Sequence, residues 1–105
     1  MKLIKNLYFG EEALKQKKEL TTYIKRRKWQ FGLYVITLSD NDENLLDLYE
    51  TIQFEQNYYK KKDLLIVGVA VGRDEALTLV GEIINDIYQN TRGFNVKDYF
   101  LAKKD

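Results

Sequence analysis

The sequence contains no cysteine and no histidine among its 105 residues. Their absence excludes a disulfide, a zinc site of the usual kind, and any catalytic pair built on a thiolate or an imidazole. Proline is absent as well, which argues against a linker within the chain. We therefore predict one domain over residues 1–105 that has no metal, no cofactor and no catalytic residues, and these absences favour a non-enzymatic function over an enzymatic one.

Long apolar segments are also missing from the sequence. No run approaches the roughly 18 apolar residues that mark a membrane-spanning helix, and the first residues, MKLIKN, lack the apolar core of a signal peptide. We expect a cytoplasmic protein that does not enter a membrane. The net charge of +1 gives no overall attraction to nucleic acid or to a membrane surface.

An unbroken apolar run over residues 64–71 (LLIVGVAV) is the centre of the predicted fold. Such a run has no polar face for water, which is typical of a strand covered on both sides, as in a parallel sheet. A second internal strand is predicted over residues 31–38, which are rich in β-branched and aromatic side chains. Residues 1–5 or 96–101 are candidates for an edge strand, although the spacing of Asn95 and Asp98 favours a short helix at the latter position.

Apolar residues recurring at helical spacing predict three helices, over residues 11–28, 43–59 and 73–91. Gly81, in the third helix, is expected where that helix packs closely against the sheet. The segment between the two internal strands is long enough to cross over, so we expect a right-handed βαβ unit with parallel strands. The predicted fold class is therefore α/β, with a short, mostly parallel sheet flanked by helices.

Two predicted loops carry candidate ligand-binding residues. Ser39, Asp40 and Asn41 follow the first internal strand, and Gly72 and Arg73 follow the second. Parallel strands would bring both loops to one rim of the sheet, where ligands bind in α/β folds, and Arg73 would meet a small anionic ligand. The alternative is structural, because Ser39 and Asp40 are suited to cap a helix and Arg73 to pair with nearby acids.

Charge is distributed unevenly along the chain. Residues 1–30 carry nine basic and three acidic side chains, whereas residues 39–56 carry six acidic side chains and no basic one. One basic run with an adjacent ring is typical of a nucleic-acid contact, in which cations meet phosphates and the ring stacks on a base: Lys25, Arg26, Arg27, Lys28 and Trp29. The alternative is that basic and acidic segments complement one another within the fold or across a subunit interface.

The surface that this fold exposes favours association. Aromatic residues make up 13% of the chain, and most of them are tyrosine, which is favoured at protein interfaces. Two strands apolar on both faces and three helices leave apolar surface for pairing through a sheet edge or a helix face. The leading hypothesis is a non-catalytic cytoplasmic protein that acts as a homo-oligomer or with a protein partner. The alternatives are a small-ligand binder or minor enzyme at the rim, and a nucleic-acid binder.

Overall fold

The computed structural model describes residues 1–39, 44–60 and 62–102. The strands in these residues form one sheet in the order β1-β4-β2-β3. They are β1 (Lys2–Phe9), β2 (Leu33–Leu38), β3 (Leu46–Glu50) and β4 (Leu65–Val71). β4 pairs in parallel with β1 and antiparallel with β2, and β2 pairs antiparallel with β3. The α/β class is confirmed, and the sheet is mixed rather than mostly parallel.

Helices cover both faces of this sheet. In the described residues they are α1 (Glu11–Leu14), α2 (Lys17–Lys25), a 3-10 helix (Thr51–Glu55), α3 (Asn57–Lys60), α4 (Arg73–Thr91) and α5 (Val96–Ala102). The side chains of α4 and α5 form one core with the sheet, and those of α1, α2 and the 3-10 helix form a second core on the opposite face. The sheet is therefore the middle of three layers.

β4 occupies the middle of the structure, as its unbroken apolar sequence predicts. Ile66 and Val69 lie in the core beneath α2, whereas Val67 and Ala70 lie in the core beneath α4. Gly68 is the point of close contact with α4, since a Cβ there would lie 3.2 Å from the side chain of Ile83. The expectation that Gly81 marks this contact is wrong, because no atom lies within 4 Å of the position of its Cβ.

The helix predicted over residues 43–59 is wrong. Residues 46–50 form β3, and the 3-10 helix and α3 follow it. Leu46 and Leu48 contact the core beneath α4. Tyr49, which follows Leu48, lies in the core on the opposite face of the sheet. This alternation is that of a strand. Pairing with the exposed edge of β2 satisfies backbone groups that a helix would satisfy internally, and here the tertiary contact prevails.

The predicted parallel pairing of residues 31–38 and 64–71 is also wrong. β2 and β4 are antiparallel, with Leu33 opposite Val71 and Thr37 opposite Ile66. Because β3 replaces the expected crossover helix, the chain reverses after β2, runs back along its outer edge, and then crosses to its inner edge as β4. The parallel neighbour of β4 is the amino-terminal strand β1.

The remaining predicted elements agree with the structure more closely. The helix over 73–91 is confirmed, and the edge strand at the amino terminus is confirmed as β1, which is longer than residues 1–5. Residues 96–101 lie in a helix, α5, as the spacing of Asn95 and Asp98 favours. The helix over 11–28 is confirmed as a helical region, but residues 15–16 interrupt it between α1 and α2, and it ends at Lys25 rather than at residue 28.

Candidate functional site

The residues of the predicted rim lie at opposite ends of the two central strands. Ser39 follows the carboxyl end of β2, whereas Gly72 lies beside the amino end of β2 and donates its N–H to the Gly32 carbonyl at 2.7 Å. A six-residue strand separates the two positions by about 20 Å. Asp40 and Asn41 lie outside the described residues. The shared rim is therefore wrong, and ligand binding by Ser39, Gly72 or Arg73 separately stays a prediction.

The carboxylate of Glu75 fills the place beside Gly72 where an anion was expected. It accepts hydrogen bonds from the backbone N–H groups of Glu12 and Val71, each at 2.6 Å, and from that of Ala13 at 3.4 Å. These N–H groups belong to the start of α1 and the end of β4. An internal carboxylate thus takes the backbone donors that would otherwise hold a phosphate. A Cβ on Gly10 would overlap this carboxylate, so a larger residue there would displace the Glu75 side chain.

The basic run at the end of α2 is exposed, but its ring is not free. Lys25 is the last residue of α2, and Arg26 to Lys28 follow it at the surface. None of these four side chains forms a salt bridge with another residue in the described part of the chain. Trp29 is half-buried and packs against Phe54, with ring centroids 5.1 Å apart. The cations can reach phosphate, whereas Trp29 belongs to the core.

One flank of α4 and the neighbouring edge of the sheet present an apolar surface, which we call the α4–β3 face. Its members lie on one side of α4, in the loop after α4, on β3 and at the residue before β3: Leu77, Val80, Ile84, Tyr88, Phe94, Leu46, Leu48 and Leu45. Leu77 is 50% exposed and Phe94 is 53% exposed. Phe94 stacks on Tyr88 with centroids 5.0 Å apart, so the surface continues past the end of the helix.

The opposite flank of α4 lines a cavity of about 400 Å³ beside β1 and α5, which we call the Tyr8 pocket. The Tyr8 hydroxyl donates a hydrogen bond to the Asp86 carboxylate. Asn90 donates from its side-chain nitrogen to the Asp86 carbonyl at 2.9 Å. The ring of Tyr8 meets that of Phe100 edge to face, with centroids 6.2 Å apart. Polar and aromatic groups from three elements therefore converge on one cavity.

The pocket carries a negative charge. Burial raises the pKa of the Tyr8 hydroxyl well above its ordinary value, and the hydrogen bond to Asp86 raises that pKa further. Tyr8 therefore stays protonated and donates to Asp86 at neutral pH. In the residues that the structure describes, salt bridges join Met1 to Asp63 and Lys15 to Glu12, and none involves Asp86. The carboxylate is balanced by hydrogen bonds and not by a cation.

Residues 1–39, 44–60 and 62–102 contain no group of three or more acidic side chains placed to hold a metal ion. No helix in these ranges has the length and apolar character needed to cross a membrane.

The sequence contains a signal for the α4–β3 face but none for the Tyr8 pocket. The apolar residues of α4 span a wider arc than one sheet covers. The structure buries Ala76, Leu79, Ile83 and Ile87, leaves Leu77 and Tyr88 of the adjacent stripe exposed, and buries Val80 and Ile84 only in part. Tyr8 and Asp86 are 78 positions apart, so no local pattern connects them.

Compared with protein-family models, with curated proteins and with solved structures, the chain gives no significant match.

Proposed function

We propose that this chain is a single-domain, non-catalytic interaction protein that pairs with a second copy of itself through the α4–β3 face. The observation that carries this proposal is the partly exposed apolar stripe of α4, which continues onto Phe94 and lies on the β3 side of the helix. Monomeric proteins seldom leave a large contiguous apolar surface exposed, and such surfaces mark interaction sites. A cytoplasmic location is part of the proposal and is supported by the cysteine-free composition alone.

The exposed stripe is symmetric about its own midpoint. At 100° per residue, Arg73, Leu77, Val80, Gly81, Ile84 and Tyr88 fall within an arc of about 100° on the helix. If two copies of α4 cross antiparallel between Val80 and Gly81, Leu77 of each copy meets Ile84 of the other. Val80 then meets Gly81, whose missing side chain leaves open space for close approach. A two-fold interface requires this self-complementarity.

Charge favours the same arrangement. The acidic side chains of α4, namely Asp74, Glu75, Glu82 and Asp86, lie outside the stripe. Antiparallel crossing places the Arg73 guanidinium over the Tyr88 ring of the second copy, where a cation–π contact contributes about 0.5–1 kcal/mol at an exposed site. Asp47 of β3 projects to the other face of the sheet, because it alternates with Leu46 and Leu48. Two copies therefore meet without juxtaposed carboxylates.

Sedimentation velocity over a wide concentration range tests this proposal. We expect a reversible dimer of the native chain, and we expect Leu77→Glu to weaken dimerisation at least about 100-fold, because it places an unpaired charge in the apolar contact. The matched control is Thr78→Glu, which adds the same charge at the next position, on the exposed side away from the stripe. A native chain that stays monomeric at high concentration contradicts self-association and leaves a different protein as the partner.

The exposed cations at the end of α2 support a second candidate, contact with the nucleic-acid backbone. Four adjacent basic side chains form no salt bridge within the described residues and are accessible to phosphate. Binding to unrelated DNA and RNA would weaken steeply with added salt. It would also be lost on charge reversal at Arg26 and Arg27. Absence of binding at low salt would eliminate this candidate.

A further inference from the structure

We propose that the Tyr8 pocket binds a small organic ammonium ion, with the Asp86 carboxylate as counterion and aromatic rings as walls. The pocket lies on the flank of α4 opposite the α4–β3 face, and residues of β1 and α5 complete its lining. The proposal is independent of dimerisation, and either one can fail without the other.

The charge of the pocket selects a cation. Asp86 forms no salt bridge with any described basic residue, and it lies within the last two turns of α4. The carbonyl groups at the end of a helix carry partial negative charge, which adds to that of the carboxylate. An anionic ligand would be repelled by both. A neutral ligand would form hydrogen bonds but would gain nothing from the uncompensated charge.

The hydrogen-bonding groups of the pocket match an ammonium group. Tyr8 and Asn90 each donate one hydrogen bond to the Asp86 carboxylate. A carboxylate has about four acceptor positions, so Asp86 can accept further hydrogen bonds. Asn90 donates through its nitrogen, which leaves its side-chain oxygen without a donor in the described part of the chain. An ammonium group has three N–H donors and no acceptor. It can therefore donate to the Asp86 carboxylate and to the Asn90 side-chain oxygen at once, whereas a hydroxyl group has a single donor.

The walls of the pocket match the organic part of the ligand. Tyr99 and Phe100 on α5 meet edge to face, with centroids 5.2 Å apart, and the Phe100 ring also meets that of Tyr8. Aromatic faces attract a cation and pack against its carbon atoms. A cavity of about 400 Å³ is within the range of small-molecule sites. Ile4 and Leu7 complete the apolar lining.

The test is a titration of the full chain with benzylammonium, followed by ¹H–¹⁵N NMR, with benzyl alcohol and benzoate as probes of the same shape. We expect saturable binding of benzylammonium in roughly the millimolar range or tighter, as its small size permits. The amide shifts should change at Asp86, Asn90 and Tyr99. Benzyl alcohol should bind at least about tenfold more weakly, and benzoate should not bind.

Matched substitutions on one helix identify the counterion. Asp86→Asn keeps the size of the side chain and an acceptor for Tyr8, and should weaken benzylammonium binding about tenfold or more. Glu82→Gln removes an exposed acid one turn earlier on α4 and should leave binding unchanged. Circular dichroism verifies that both variants fold. Equal binding of benzyl alcohol, equal loss in both variants, or no saturable binding would overturn the proposal. Shift changes confined to another surface would overturn it as well, whether or not Asp86→Asn folds.

Discussion

Glu75 connects three elements through one carboxylate, and its replacement tests whether that connection stabilises the fold. Glu75→Gln keeps the size of the side chain but leaves one acceptor oxygen, so at least one of three backbone N–H groups then faces an NH₂ group. The two bonds at 2.6 Å, to Glu12 and Val71, lie on different oxygens, and one of them must be lost. Hydrogen bonds to charged groups contribute about 1.5–3 kcal/mol each. Because Glu75 is half-buried and water replaces part of the loss, we expect the free energy of unfolding to fall by about 1–3 kcal/mol.

Urea denaturation followed by fluorescence measures this change, since the only tryptophan, Trp29, packs in the core against Phe54. Asp74→Asn is the control, because Asp74 is the adjacent acid in the same first turn of α4, is exposed, and forms no hydrogen bond in the described part of the chain. Loss of its charge at the helix terminus should cost about 0.3–1 kcal/mol at most. Equal destabilisation by the two substitutions would refute the reasoning, because Glu75 would then act only through the helix dipole.

Three further predictions concern single positions. Gly81→Ala should raise the free energy of unfolding of the monomer by about 0.5–1 kcal/mol through helix propensity, because the added Cβ meets open space. The same substitution should weaken the dimer measured by sedimentation. A tighter dimer would contradict the crossing at Gly81. Thr37→Val should raise the urea midpoint, because the buried Thr37 hydroxyl has no hydrogen-bond partner in the described residues and its removal gains about 1 kcal/mol; a lower midpoint would show that the hydroxyl is satisfied. Because the pKa of Tyr8 is raised in the folded chain, the unfolded chain loses the hydroxyl proton at a lower pH than the folded chain does. The contribution of Tyr8 to stability is therefore present below about pH 10 and is lost as pH rises above it. Tyr8→Phe should reduce the loss of stability measured between neutral and alkaline pH, and an unchanged loss would exclude Tyr8 as its source.

The elements that local sequence determines were predicted correctly. β4 is a short apolar run rich in β-branched residues, which favours a strand buried on both faces, and α4 has apolar residues at helical spacing over its full length. In both cases the local pattern admits one structure. The bounds of α4 agree because Gly72, with φ of 89°, ends the strand immediately before it.

The error at residues 43–59 arose where two periods fit the same residues. Leu45, Leu48 and Ile52 have helical spacing, yet Leu46 and Leu48 also alternate with Asp47 and Tyr49 as in a strand. The choice depends on whether the outer edge of β2 needs a partner, and that is a property of the whole sheet. This single error reversed the expected direction of β4 relative to β2 and produced a rim that the structure does not form.

The two surfaces proposed as sites differ in how far the sequence could indicate them. The width of the apolar arc on α4 indicated more surface than one sheet covers, but not which stripe is exposed. The Tyr8 pocket depends on the parallel pairing of β1 with β4 and on the position of α5. Its members are distant in sequence, and only the assembled fold brings Tyr8 to Asp86.

The absence of cysteine allows a direct measurement of how two copies meet. A single introduced thiol is then the only one in the molecule. Val80→Cys places it beside the proposed two-fold axis, and Thr78→Cys places it on the exposed side away from the stripe. Under mild oxidation we expect Val80→Cys to form a disulfide-linked dimer rapidly and Thr78→Cys to form one only slowly, through random collisions. Equal rates, or faster linkage of Thr78→Cys, would contradict pairing through the α4–β3 face.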